Sequence, residues 1–151
     1  MKTIFFPGSF NPFTKGHADI LLRLLNMADR VIVGIGINLD KPDAARMAEE
    51  NASQIRKFAE EHSLGDRVEV KIYGGLTATE AKRRGACCLA RGVRTCQDFE
   101  YEYTLAAANR DAFGIDTILV PADPALSFVS SSLIREIEAH GESETAKKYL
   151  P

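Results

Sequence analysis

The chain has 151 residues, of which 45% are hydrophobic and 26% charged, with a net charge of −2. That length supports one domain with a single proper core. The balanced charge excludes a global field toward nucleic acid or an anionic membrane, and no apolar run is long enough for a transmembrane span.

Thr3-Ile4-Phe5-Phe6 reads as a short buried strand. Lys2 precedes only a four-residue run before Pro7, so no signal-peptide pattern is present and a cytoplasmic location is expected. A turn rich in Gly, Ser, Asn and Pro follows, then an amphipathic helix predicted over Ala18–Ala28. A strand, such a turn and a helix opening with Gly16-His17 make an anion site, because first-turn N–H groups are unpaired and the helix dipole is positive there. His17 adds a further donor toward a phosphate; its bland alternative is a polar residue in a tight turn.

The second strand is predicted at Val31–Ile37. Gly34-Ile35-Gly36 lies inside it and lacks a third glycine, so it is not a dinucleotide fingerprint. Asn38 to Lys41 form the polar stretch after it. The helix Ala44–His62 carries many charges and one apolar stripe, with His62 solvated at its end. A third strand, Val68–Tyr73, and a helix, Thr77–Arg84, follow. The fourth strand is predicted at Cys87–Ala90, with Cys87 and Cys88 as small buried hydrophobes. The three cysteines, with Cys96, include no C-x-x-C spacing and indicate neither a disulfide framework nor a zinc site.

Arg91 and Arg94 bracket Gly92-Val93, which suits bidentate phosphate recognition; surface ion pairs are the alternative. A helix is predicted over Gln97–Ala112, with Asp98 favourable at its positive end. The fifth strand is Thr117–Val120. Ser130-Ser131-Ser132 then open a helix predicted over Ser131–His140, where they supply an N-cap and hydroxyl donors; Arg135 lies one turn in. Gly141 stops that helix, and a last one is predicted over Ser143–Tyr149. No repeat or linker appears, so residues 1–151 are expected to be one domain. Strands alternating with helices predict a Rossmann-like α/β fold, a doubly wound parallel sheet with helices on both faces and right-handed crossovers. All four polar clusters then fall at the carboxyl ends of strands, where open α/β sheets bind ligands.

Thr14-Lys15-Gly16-His17 is the T-x-G-H form of the nucleotidylyltransferase signature. Pro7-Gly8-Ser9-Phe10-Asn11-Pro12, Arg91-Gly92-Val93-Arg94 with Asp98-Phe99-Glu100-Tyr101-Glu102, and Val129-Ser130-Ser131-Ser132-Leu133-Ile134-Arg135 occur in the order and spacing of phosphopantetheine adenylyltransferases. The chain resembles that family from Ile4 to about Glu138. The resemblance implies AMP transfer from ATP to 4′-phosphopantetheine, giving dephospho-CoA and pyrophosphate. It implies Mg²⁺ held mainly through ATP phosphates, a five-stranded sheet of order 3-2-1-4-5, a homohexamer, and CoA as a feedback inhibitor. No nucleic acid or membrane partner is implied.

By the same resemblance, His17, Lys41 and Arg91 are catalytic. Ser9, Phe10, His17, Gly92, Val93, Arg94 and Glu102 bind ATP, together with Leu126, Ser127, Phe128, Val129, Ser130, Ser131 and Ser132. Ser9, Lys41, Thr77 and Arg91 bind the acceptor. The chain departs from the family pattern after Lys41, at Pro42-Asp43-Ala44-Ala45-Arg46-Met47, and at Glu80, where an apolar aromatic is common. The rival readings are a related transferase with another acceptor, such as glycerol phosphate or nicotinamide mononucleotide, and a silent ATP or CoA sensor.

Overall fold

The computed structural model describes residues 1–151. Five parallel strands form one sheet in the order β3-β2-β1-β4-β5, with β1 Thr3–Gly8, β2 Arg30–Gly36, β3 Val68–Tyr73, β4 Cys88–Val93 and β5 Asp116–Pro121. The helices between them are α1 Lys15–Leu24, α2 Ala44–Glu61, α3 Thr77–Arg83 and α4 Cys96–Phe113, followed by α5 Ser131–Ala139 and the short α6 Ser143–Ala146. The strand order is the one the family resemblance implies.

The period of two along each strand divides the core between the two faces. Ile4 and Phe6 of β1, with Val31, Val33 and Ile35 of β2, pack against Leu21 and Leu24 of α1 and Ile55 and Phe58 of α2. Phe5, Ile32 and Leu89 face the other way, toward Ala78 and Ala81 of α3 and Ile115. The expected stripe of α2 is Ala48, Asn51, Ala52, Ile55, Phe58 and Ala59. A third cluster of Val129, Ile134 and Ala146, joined by Leu126, Tyr149 and Leu150, holds α5 and the C-terminal turn together.

Gly34 shares the face of Phe5 and Ile32 and is the most tightly covered glycine of the sheet. A Cβ built there would lie 2.3 Å from Cζ of Phe5, whose ring is fully buried and edge-on to Tyr73. The ring has no room to retreat. Gly34→Ala is expected to destabilise the fold by about 1–3 kcal/mol through overpacking. A fall in the urea midpoint at constant m-value checks it.

Several boundaries differ from the sequence reading. β1 continues through Pro7 and Gly8, paired with Gly34 and Ile35, and β4 continues to Val93, paired with Pro121. Helix α1 starts earlier, at Lys15, because Thr14 caps it, and ends at Leu24. Arg67 donates to the carbonyls of Leu25 and Ala28 just beyond that end. The cysteines are a correction: Cys87 is exposed and Cys88 only half-buried, because the strand begins at Cys88 and Cys87 lies at its outer edge. His62 is exposed, as expected.

The register locates the crevice. β1 and β4 pair only at Ile4–Cys88 and Phe5–Leu89, whereas β4 stays paired with β5 up to Val93. Past Phe5 and Leu89 the two central strands part. This is the point where strand order reverses, and the gap opens at the carboxyl edge.

Candidate active site

Two helix starts converge on this gap. At α1, Thr14 Oγ1 accepts from the His17 backbone N–H at 3.2 Å, and the Thr14 backbone N–H donates to His17 Nδ1 at 3.0 Å. This reciprocal cap has histidine in the place usually held by Glu or Gln. It also fixes the tautomer. With Nδ1 accepting, the neutral ring carries its proton on Nε2, the atom left to donate. Burial, then the charges of Arg91 and Arg94, lower the His17 pKa from 6.5 to about 4. The ring is therefore neutral at neutral pH and still offers a donor.

Phe10 holds the ring in place. Its centroid lies 4.9 Å from that of His17, edge-on, and Phe13 stacks on the imidazole at 5.9 Å. Phe10 adopts φ 48°, a left-handed conformation that is strained outside glycine. Burial of its ring, 2% exposed, offsets that strain. Gly8 makes the fold-back possible, since a Cβ there would stand 3.0 Å from the Phe10 ring.

At α5, Ser130 Oγ accepts from the Leu133 N–H at 3.1 Å, the expected N-cap. Ser131 and Arg135 stitch this helix to the first turn. Ser131 Oγ donates to the Pro12 carbonyl at 2.8 Å, and Arg135 donates to the Asn11 carbonyl and to Ser132 Oγ. The first-turn N–H groups of both helices thus face one cleft.

Arg91 crosses the gap. Its Nη1 donates to the Pro7 carbonyl at 2.8 Å, while Nε and Nη2 grip both oxygens of Glu102 at 2.8 and 2.7 Å. Glu102 is the one buried residue of α4. Burial acts to lower the Arg91 pKa, but the Glu102 hydrogen bonds and charge outweigh it and raise the pKa above its ordinary value. Arg94 pairs with Asp98, Nε to Oδ2 at 3.3 Å, so Asp98 does more than complement the helix dipole.

Two cavities meet here. One, of about 340 Å³, lies between the sheet and helices α3 and α4, with Tyr73, Thr77, Leu89 and Asn109 in its walls. The other, of about 400 Å³, lies over the starts of α1 and α5, walled by Ser9, His17, Arg94, Leu126 and Ser130. Pro7, Gly8, Arg91 and Glu102 line both.

Of the residues named from sequence, Ser9, Phe10, His17, Gly92, Arg94, Leu126, Val129, Ser130, Ser131 and Ser132 line the second cavity. Thr77 lines the first, and Arg91 and Glu102 line both. Val93, Ser127, Phe128 and Lys41 line neither. Lys41 is exposed, in a turn where its N–H donates to the Asn38 carbonyl at 3.1 Å. Glu80 also lies outside both cavities and is bound to Arg83 and Arg84 of its own helix turn. The sequence reading missed Tyr73, Leu89, Leu105, Ala106, Asn109, Phe113 and Thr117 in the first cavity. The period of two could have found Leu89, which shares the face of Arg91 two residues on.

A parallel sheet with T-x-G-H and serine-rich helix starts converging at its switch point defines a nucleotidylyltransferase-type domain. The Cytidylyltransferase-like family profile matches residues 5–137. A phosphopantetheine adenylyltransferase of Porphyromonas gingivalis is 47% identical over 97% of this chain and 92% of its own length. One of Bacteroides fragilis is 42% identical, over 91% of this chain and 89% of its own. Among solved structures, a putative nicotinate-nucleotide adenylyltransferase from Vibrio parahaemolyticus shares the fold. It has a TM-score of 0.61 at 18% identity, covering 99% of this chain and 94% of its own. The chain belongs to the phosphopantetheine adenylyltransferase family.

Proposed function

We propose that this protein transfers the adenylyl group of ATP to the phosphate of 4′-phosphopantetheine, releasing pyrophosphate and forming dephospho-CoA. The observation that carries this reading is the junction: two cavities of substrate size share Arg91 at the sheet's switch point. The cavity with two helix starts suits ATP and its phosphates. The smaller one suits the pantetheine arm, with the acceptor phosphate at Arg91.

An oxygen of the acceptor phosphate attacks the α-phosphorus of ATP; the bond to the bridging oxygen breaks, and pyrophosphate leaves with the electron pair. The nucleophile is already anionic, so no general base is needed. Alignment and charge stabilisation remain as the protein's work. His17 Nε2–H donates to the phosphoryl oxygens, Arg91 holds the acceptor phosphate, and Arg94, Ser9 and the Ser130–Ser132 turn hold ATP. Lys41 is assigned to the acceptor phosphate by the family resemblance alone, since its exposed turn lines neither cavity.

Mg²⁺ fits this site as a companion of ATP. The only carboxylates lining the ATP cavity, Asp98 and Glu102, are engaged by Arg94 and Arg91. ATP phosphates and water would therefore hold the ion, which neutralises charge on the leaving pyrophosphate. CoA carries the same pantetheine arm and competes for the acceptor cavity. A homohexamer needs an association surface, and α4 offers an apolar one: Phe99 and Tyr103 stack on each other at 5.9 Å while 48% and 60% exposed.

The testing experiment measures pyrophosphate release from ATP and Mg²⁺ with and without 4′-phosphopantetheine. Release that requires this acceptor, and fails with nicotinamide mononucleotide or glycerol phosphate, is expected. Equal or better turnover of another acceptor would overturn the assignment.

A further inference from the structure

Only two buried side-chain polar atoms in the chain lack a protein hydrogen-bond partner, Arg30 Nε and Thr117 Oγ1. The guanidinium of Arg30 is answered by Glu69 at 3.2 Å. Thr117 has no such answer, although a desolvated hydroxyl without a partner is costly.

Its place in the sheet explains where a partner would come from. Thr117 is in register with Leu89, and Leu89 with Phe5. Phe5 and Leu89 pack on the face covered by α3, so Thr117 faces that way too and lines the cavity between the sheet, α3 and α4. Arg91 stands two residues beyond Leu89 on the same face, about 6.6 Å along a parallel strand. The other two wall hydroxyls, Tyr73 and Thr77, satisfy each other at 2.8 Å. Thr117 is the hydroxyl left over.

We propose that Thr117 determines acceptor specificity: its hydroxyl hydrogen-bonds the hydroxyl and first amide of the arm that follow the acceptor phosphate. Turning χ1 to another staggered well exchanges the methyl with the oxygen and presents the oxygen to the cavity. An acceptor with an apolar arm would leave that hydroxyl unanswered, which is how a polar group discriminates. The inference rests on the acceptor reading of this cavity.

Thr117→Val keeps the shape and removes the hydroxyl. It is expected to raise the KM for 4′-phosphopantetheine about fivefold, the scale of one hydrogen bond. The KM for ATP should stay put, and the Tm of the unliganded protein should hold or rise. Thr117→Ser should restore the acceptor KM. An acceptor KM within about twofold of wild type, or an ATP KM that moves equally, would overturn the proposal. So would a lowered Tm, since it would mean that the hydroxyl is satisfied within the fold. If the wild-type protein does not use 4′-phosphopantetheine, the acceptor reading fails and takes this inference with it. If it does and Thr117→Val is unaffected, the inference alone fails.

Discussion

Replacing His17 by alanine is expected to lower kcat roughly 10²–10³-fold, the loss seen when one preorganised donor to a developing oxyanion is removed. The KM for ATP should change much less, because on the proposed reading the two helix starts and Arg94 still hold the triphosphate. The geometry dictates both parts. Nδ1 is occupied by the Thr14 N–H at 3.0 Å, so Nε2–H is the ring's one donor. Phe10 and Phe13 fix the ring, which makes the donor preorganised rather than recruited. Alanine also removes the ring acceptor from the Thr14 N–H, at a cost of about 1 kcal/mol of helix-cap stability. A thermal melt would register that cost separately from the rate.

Protonation gives a second handle on the same residue. NMR titration of the unliganded protein should find the His17 midpoint near 4 rather than 6.5. Between those values the unfolded chain binds a proton that the folded site refuses, so stability from this group is complete above pH 6.5 and falls as the pH drops toward 4. A midpoint near 6.5 would mean that the ring is solvated and that the Thr14 contact does not set its tautomer.

The reach of the sequence follows from which interactions are local. Thr14, Gly16 and His17 are legible because cap, turn and donor lie within four residues. Ser130 is legible for the same reason, as the cap of α5. The strands are legible as β-branched runs, but their ends are not: Pro7 ends a run by propensity, yet Gly34 pairs with it across the sheet. Cys87 and Cys88 show the converse, since an apolar run does not reveal which of its residues lies outside the ladder. Glu102 was named as a nucleotide contact on resemblance alone. Its grip on Arg91, eleven residues back, depends on how α4 returns along β4. The wall of the first cavity, from Leu89 to Thr117, is long-range throughout and needed the register.

Arg91→Met should abolish most turnover and also destabilise the fold, for separable reasons. Turnover is expected to fall by roughly 10²-fold or more because, on the proposed reading, the cation that holds the acceptor phosphate is lost. Stability falls by about 3–5 kcal/mol because Glu102, with its side chain only 8% exposed, becomes a buried carboxylate without a partner. Lysine would restore the charge without the planar fork, so Arg91→Lys should stay well below wild type in rate. Combining Arg91→Met with Glu102→Leu removes both charges and should recover most of the denaturant midpoint, since paired apolar replacements of a buried ion pair are often neutral. It should recover none of the rate. Recovery of both would make Arg91 a structural partner of Glu102 only, and the acceptor phosphate would have to be held elsewhere. Recovery of stability alone would separate the two roles: Glu102 fixes the plane of the guanidinium, and the guanidinium, held across the gap by the Pro7 carbonyl at 2.8 Å, would then be free to act on the proposed acceptor phosphate where the central strands part.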